Sequence, residues 1–171
     1  MIVYLSLPVI IILDCIAWFL IHMGAAWGMT QLPPTIFKPD SWLYRRRSWE
    51  ADGAPYRRIF LIHLWKKILP DGAALFKSGF RKKSLSSIHR PYLELFIRET
   101  CRGELTHWIV MASAPLFFIW NTAPMGIIMV VYAMIANVPC IVTQRYNRIR
   151  LGNLLMRYRD GTVEHPKSGR S

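Results

Sequence analysis

The sequence predicts an all-α integral membrane protein, with about three transmembrane helices and additional interfacial amphipathic helices. Three observations carry this reading. The chain is 53% hydrophobic, with a mean hydropathy of +0.22, although it also holds 22 Lys and Arg. Apolar and basic residues must therefore be segregated into blocks. Apolar runs at 2–21, 105–120 and 125–143 are close to the ~20 residues that a helix needs to cross ~30 Å of hydrocarbon, the middle run being the shortest. Fifteen basic residues lie between Lys38 and Arg102 and the other seven between Arg145 and Arg170. None precedes Lys38 or falls in the turn between the second and third runs, so both blocks are predicted to be cytoplasmic.

The expected organisation is a multi-pass protein of the cell membrane with its N-terminus outside and its basic segments in the cytoplasm. Residues 1–28 form an N-terminal transmembrane segment and 29–90 a basic interfacial region. Residues 91–159 carry a juxtamembrane helix, a helical hairpin and a basic surface helix, and 160–171 a disordered tail. A cleaved signal peptide is the alternative for the first run, with the small residues at 23–28 as its site. Against it, no Lys or Arg precedes the run, and Trp18 and His22 interrupt its apolar core. Asp14 is costly if it faces lipid. It is predicted either to face a polar interior, with His22 two turns on, or to be a neutral acid bonded to a neighbouring helix.

After the breaker G-M-T-Q-L-P-P, the aromatic and basic residues of Ser41–Glu50 suit the headgroup layer. Residues 57–69 are too short and too charged to span, and read as a helix lying in the interface that ends at Pro70. His63 on it is an ordinary interfacial residue. The basic stretch 76–85 completes a net charge of +12. Topology and anionic lipid account for these charges, so nucleic acid is not expected as a partner. Pro91 starts a helix that continues into the second run, which Pro115 kinks. N-T-A-P at 121–124 turns the hairpin, and residues 145–159 read as the basic surface helix. Cys15, Cys101 and Cys140 are odd in number and have no paired spacing, which indicates reduced thiols.

No Walker loop, dinucleotide glycine motif, paired CxxC or G-x-S-x-G elbow is present, and no His has an Asp five positions later. No metal site and no bound cofactor are expected. Chemistry concentrates instead in E-T-C-R-G-E-L-T-H-W at 99–108. On a helix, His107 lies roughly 80° from Glu99 and 60° from Glu104. An imidazole oriented by a carboxylate at a low-dielectric boundary suits a general base for a hydroxyl. A salt-bridge lattice of Glu99, Arg102 and Glu104 on a juxtamembrane helix is the alternative. In the third run Gln144 and Arg148 each fall within about 20° of Asn137 on an ideal helix, although Pro139 disturbs that alignment. Such a face could donate to a carbonyl or a developing oxyanion, or bond between helices.

The 99–108 motif and Y-A-M-I-A-N-V-P-C-I-V-T-Q-R-Y-N-R-I-R-L at 132–151 resemble the glycosyl-4,4'-diaponeurosporenoate acyltransferase family of staphyloxanthin-type carotenoid synthesis. W-K-K-I-L-P-D-G at 65–72 and W-E-x-x-G at 49–53 resemble it too. The resemblance implies a small membrane enzyme that esterifies the glucose C6 hydroxyl of a glycosylated C30 carotenoic acid, or a similar glycolipid, with a fatty acyl chain. An acyl thioester would be the co-substrate, and the partners would be the carotenoid, the acyl donor and membrane lipid, with a homodimer or pathway complex to complete a narrow site. In the expected mechanism His107 is the base and Glu104 or Glu99 fixes its tautomer. Substrate contacts are assigned to Arg102, Asn137, Gln144, Arg145, Asn147 and Arg148, with Arg102, Arg145 or Asn137 on the oxyanion or the donor phosphates. An acyl-enzyme on Cys101 is the variant mechanism. The rival readings are an isoprenoid-modifying membrane methyltransferase or reductase, or a non-catalytic pathway scaffold.

Overall fold

The computed structural model describes residues 6–65 and 89–159. In chain order they form α1 (Leu7–Gln31), α2 (Ala54–Arg58), α3 (Ile62–Trp65), α4 (Arg90–Ala112) and α5 (Ala123–Arg159). Short 3-10 helices lie at Pro34–Ile36, Ser48–Glu50 and Ala114–Ile119, and there is no strand among the described residues. The chain divides into two compact units. Met1–Leu32 with Glu104–Ile141 makes the first, and Pro33–Gly103 with Val142–Ser171 the second. All 22 Lys and Arg fall in the second unit with eight of the ten acids; the first unit holds only Asp14 and Glu104.

In the first unit, α1 has a proline in its first turn, where the missing N–H costs nothing, and it ends ahead of Pro33–Pro34. It buries one residue per turn, Ile10, Asp14 and Trp18, and leaves Val9, Ile11, Ile12, Ile16, Phe19 and Leu20 exposed. An outward aliphatic surface of this extent is consistent with a membrane span. Trp18 centres the core, which also holds Val110, Ala114, Phe117 and Ala133. Its ring stacks on Phe117 at 4.4 Å between centroids, and its Nε1 donates to Met129 Sδ at 3.3 Å. Asp14 faces this interior, where its Oδ1 accepts from Trp120 Nε1 at 2.7 Å and Asn121 Nδ2 at 2.8 Å. His22 is turned elsewhere, its Nδ1 donating to the Trp18 carbonyl at 2.9 Å.

Two helices, Leu7–Gln31 and Ala123–Arg157, have the length and hydropathy of a membrane span. The run 105–120 is not one helix. α4 stops at Ala112, Ser113 Oγ donates back to the Val110 carbonyl, and the chain tightens into the 3-10 helix. Pro115 explains the break, since it supplies no N–H and disfavours the α conformation of the residue before it.

A second correction concerns α5. The third apolar run and the expected surface helix are one helix of 37 residues, about 55 Å long, which passes through Pro139. Its basic C-terminal part is core and not surface. Tyr146, Asn147, Arg148, Ile149 and Leu151 are buried in the second unit, where Leu151 packs with Leu93, Phe96 and Ile97 of α4. The expected interfacial helix 57–69 is also divided as far as it is described. α2 and α3 are separated at Leu61, whose φ is +46°, and Ile62 beyond it is fully buried. Residues 66–69, the basic stretch 76–85 and the tail 160–171 lie outside the described residues.

The turn W-E-x-x-G needs its glycine. Gly53 has φ +78°, and a Cβ there would stand 3.1 Å from the ring of buried Tyr146. Gly53→Ala should therefore destabilise the protein by about 1–2 kcal/mol, read as a lowered unfolding temperature in detergent. An unchanged temperature would mean that the turn does not pack on Tyr146.

Candidate active site

In the first unit the hairpin brings His107 of α4 to Asn137 of α5. His107 Nδ1 lies 2.9 Å from Asn137 Oδ1, and Asn137 Nδ2 donates to the Ala133 carbonyl one turn back, also at 2.9 Å. These two bonds assign the network. Because the amide nitrogen is spent on a carbonyl, Oδ1 is the acceptor, so Nδ1 of the imidazole carries the proton and Nε2 is its basic nitrogen. Asn137 is 1% exposed, whereas His107 is only half-buried. The arrangement can accept a proton from a hydroxyl that reaches Nε2. The orienting group at Nδ1 is thus an amide oxygen, where the sequence pointed to a carboxylate. Glu104, fully buried, accepts from Trp108 Nε1 at 3.3 Å.

The second unit contains the other residues singled out in the sequence. Glu99 and Arg102 form a buried pair at 2.7 Å, the i, i+3 bridge of the lattice reading, and the Arg102 guanidinium lies over the Phe37 ring. Arg148 directs Nη1 to Cys101 Sγ at 3.6 Å and lies over Tyr44. Asn147 is buried, and Gln144 Oε1 is a buried atom with no hydrogen-bond partner. Arg145 is a structural clamp. Its Nε donates to Glu50 Oε1 at 2.8 Å and its Nη2 to Oε2 at 3.4 Å, while Nη1 and Nη2 reach the carbonyls of Leu43 and Arg45. That guanidinium ties α5 to the loop that carries Glu50.

Glu50 is the centre of a network that the sequence did not reveal. It is 1% exposed, and besides Arg145 it accepts from the Arg47 backbone N–H at 2.5 Å and from the hydroxyl of buried Tyr56. Ala51, next to it, is held at φ +40°. Its one sequence signal was the W-E-x-x-G motif, but the partner at position 145 is 95 residues away and no spacing rule reaches it. Burial pushes the Glu50 carboxyl up, yet the hydrogen bonds from Arg145, Arg47 and Tyr56 and the Arg145 charge outweigh it and hold the carboxyl below its ordinary range. Burial, followed by the bond to Glu50, raises the Tyr56 hydroxyl. Among the described residues no group of three His, Cys, Asp or Glu is placed to hold a metal ion.

The family model described as glycosyl-4,4'-diaponeurosporenoate acyltransferase matches residues 40–157. Relatives of that name from Staphylococcus aureus strains bovine RF122 / ET3-1, MRSA252 and USA300 are each 34% identical over 140 residues, covering 81% of this chain and 83% of theirs. The protein is therefore an acyltransferase, which sets aside the methyltransferase, reductase and scaffold readings. It belongs to the glycosyl-4,4'-diaponeurosporenoate acyltransferase family. No solved structure matches the chain.

Two outcomes follow for the second unit. Arg145→Ala strands a buried carboxylate and should cost about 3–5 kcal/mol, with Arg145→Lys recovering only part because a lysine lacks the fork. Because the folded Glu50 carboxyl titrates below its unfolded value, its stabilisation is present above about pH 4.5 and is lost as the pH falls through the lower folded pKa. Unfolding temperature measured against pH should show this acid-side loss, and Glu50→Gln should flatten it.

Proposed function

We propose that the protein transfers a fatty acyl group from an acyl thioester to the sugar C6 hydroxyl of a glycosylated C30 carotenoic acid. The relatives' name supplies the acceptor class. The single observation behind the mechanism is the His107–Asn137 pair. His107 Nε2 takes the hydroxyl proton as the sugar oxygen attacks the thioester carbonyl. The tetrahedral intermediate then collapses, the carbon–sulfur bond breaks, and the imidazolium returns the proton to the departing thiolate. Asn137 positions the base, since its fixed Oδ1 holds the Nδ1–H tautomer and favours the imidazolium that forms. Glu104, on α4 in the same unit, is assigned a supporting role.

The proposed setting is the cytoplasmic edge of a bilayer crossed three times. The end of α4 together with the 3-10 helix reaches about 25 Å, because a 3-10 turn rises ~2.0 Å per residue against 1.5 Å in an α-helix. That length brings the short second run close to the hydrocarbon thickness. Its packing on Trp18 and Ala133 supports a return path beside α1 and α5 within the first unit. An apolar acceptor and an acyl tail then stay in lipid while the sugar meets the base at the headgroup level.

The test is ester formation, read by mass spectrometry, with purified protein, glycosylated carotenoid and acyl thioester. His107→Ala should lower the rate by about 10²–10⁴ at unchanged protein level. Asn137→Ala should lower kcat by about tenfold or more with little change in KM, and Asn137→Asp, which keeps an acceptor at Nδ1, should recover part of it. Full ester formation by His107→Ala would remove the base from this scheme.

A further inference from the structure

The second unit carries an exposed patch that the reaction does not use. Ile59 is 75% exposed, Leu64 63% and Leu61 46%, so three large aliphatic side chains point outward within six residues. Phe60 joins them, and it and exposed Trp49 flank the same Tyr56 ring, at 5.9 and 5.8 Å between centroids. The backbone is shaped to make the display. Leu61 holds φ +46°, a conformation costly for a residue with a Cβ, and the bend sends Ile62 into the core while its neighbours face out. Buried Ile62 and Tyr56 thus root the segment, and the strain is spent on exposing apolar side chains that a helix would have divided between faces.

Arg57 and Arg58, at the end of α2, are exposed immediately before this cluster. Aliphatic and aromatic side chains with guanidinium groups at their base match an anionic bilayer surface, apolar tips entering the acyl boundary and cations meeting phosphates. An acidic soluble protein would satisfy the arginines, yet it would have to cover side chains this exposed with an equally apolar face of its own. We propose that the Ile59–Leu64 turn is a membrane-dipping element that seats the second unit on anionic phospholipid.

The experiment uses the full-length protein in vesicles of phosphatidylglycerol carrying a diazirine in its acyl chain, with adducts mapped by mass spectrometry after illumination. Adducts on α1 report insertion of the protein independently of this proposal. The expected result is adducts on residues 59–64, falling about fivefold or more in an Arg57→Glu, Arg58→Glu variant while the α1 adducts stay constant. The same fall is expected for the native protein in a phosphatidylcholine analogue. Labelled α1 with an unlabelled 59–64 segment would overturn the proposal. So would adduct yields equal in the two lipids, or displacement of the adducts by an added acidic carrier protein. Absence of α1 adducts would instead count against the membrane-spanning reading, and with it this one.

Discussion

The first unit has no lysine or arginine of its own. This constraint explains the form of its chemistry. Asp14 is met by an indole and an amide, Glu104 by an indole, and His107 by an amide oxygen. Neutral N–H donors and carbonyl acceptors suit such a unit, because each fixes an orientation without bringing a second charge into low dielectric. A base held by a neutral amide at Nδ1 keeps a defined tautomer. The Asn137 contact with the Ala133 carbonyl matters for the same reason, since it leaves the amide only one way to face.

The second unit solves the opposite problem. It holds all 22 cations against eight acids, and several of its arginines are turned inward as cross-links. Arg145 ties α5 to the W-E-x-x-G turn, Arg102 pairs with Glu99, and Arg148 settles on sulfur and an aromatic face. The planar fork of arginine makes this possible, as one side chain can satisfy a carboxylate and two carbonyls at once. Strain gathers in the same region, at Ala51 and Leu61, where buried neighbours hold the backbone in place.

Much of this was legible in the sequence, and the exceptions have physical causes. Asp14 and Asn137 stood out because a polar residue within some twenty apolar ones has few ways to be tolerated, and each is indeed bonded inside the first unit. The helix start near Pro91 follows from proline's fixed geometry, and Pro115, expected to kink the second run, breaks it instead. That His107 and Asn137 share a site was expected, but their direct bond was not legible, because it depends on how the hairpin aligns residues thirty positions apart. The Glu50–Arg145 bond spans 95 positions and left only a short motif as its trace. α5 was divided at Arg145 because the abrupt change from apolar to basic composition imitates the end of an element. The helix continues through it because its polar residues have buried partners to meet.

The charge division between the units also has a consequence for which side of the bilayer receives the product. In the proposed topology, inverting the protein would drag a net +14 through the membrane field, at about 2.3 kcal/mol per charge per 100 mV, or roughly 30 kcal/mol. That topology would lock the enzyme in one orientation and would release each proposed ester into the inner leaflet. A pigment destined for the outer leaflet would then depend on a separate translocation step.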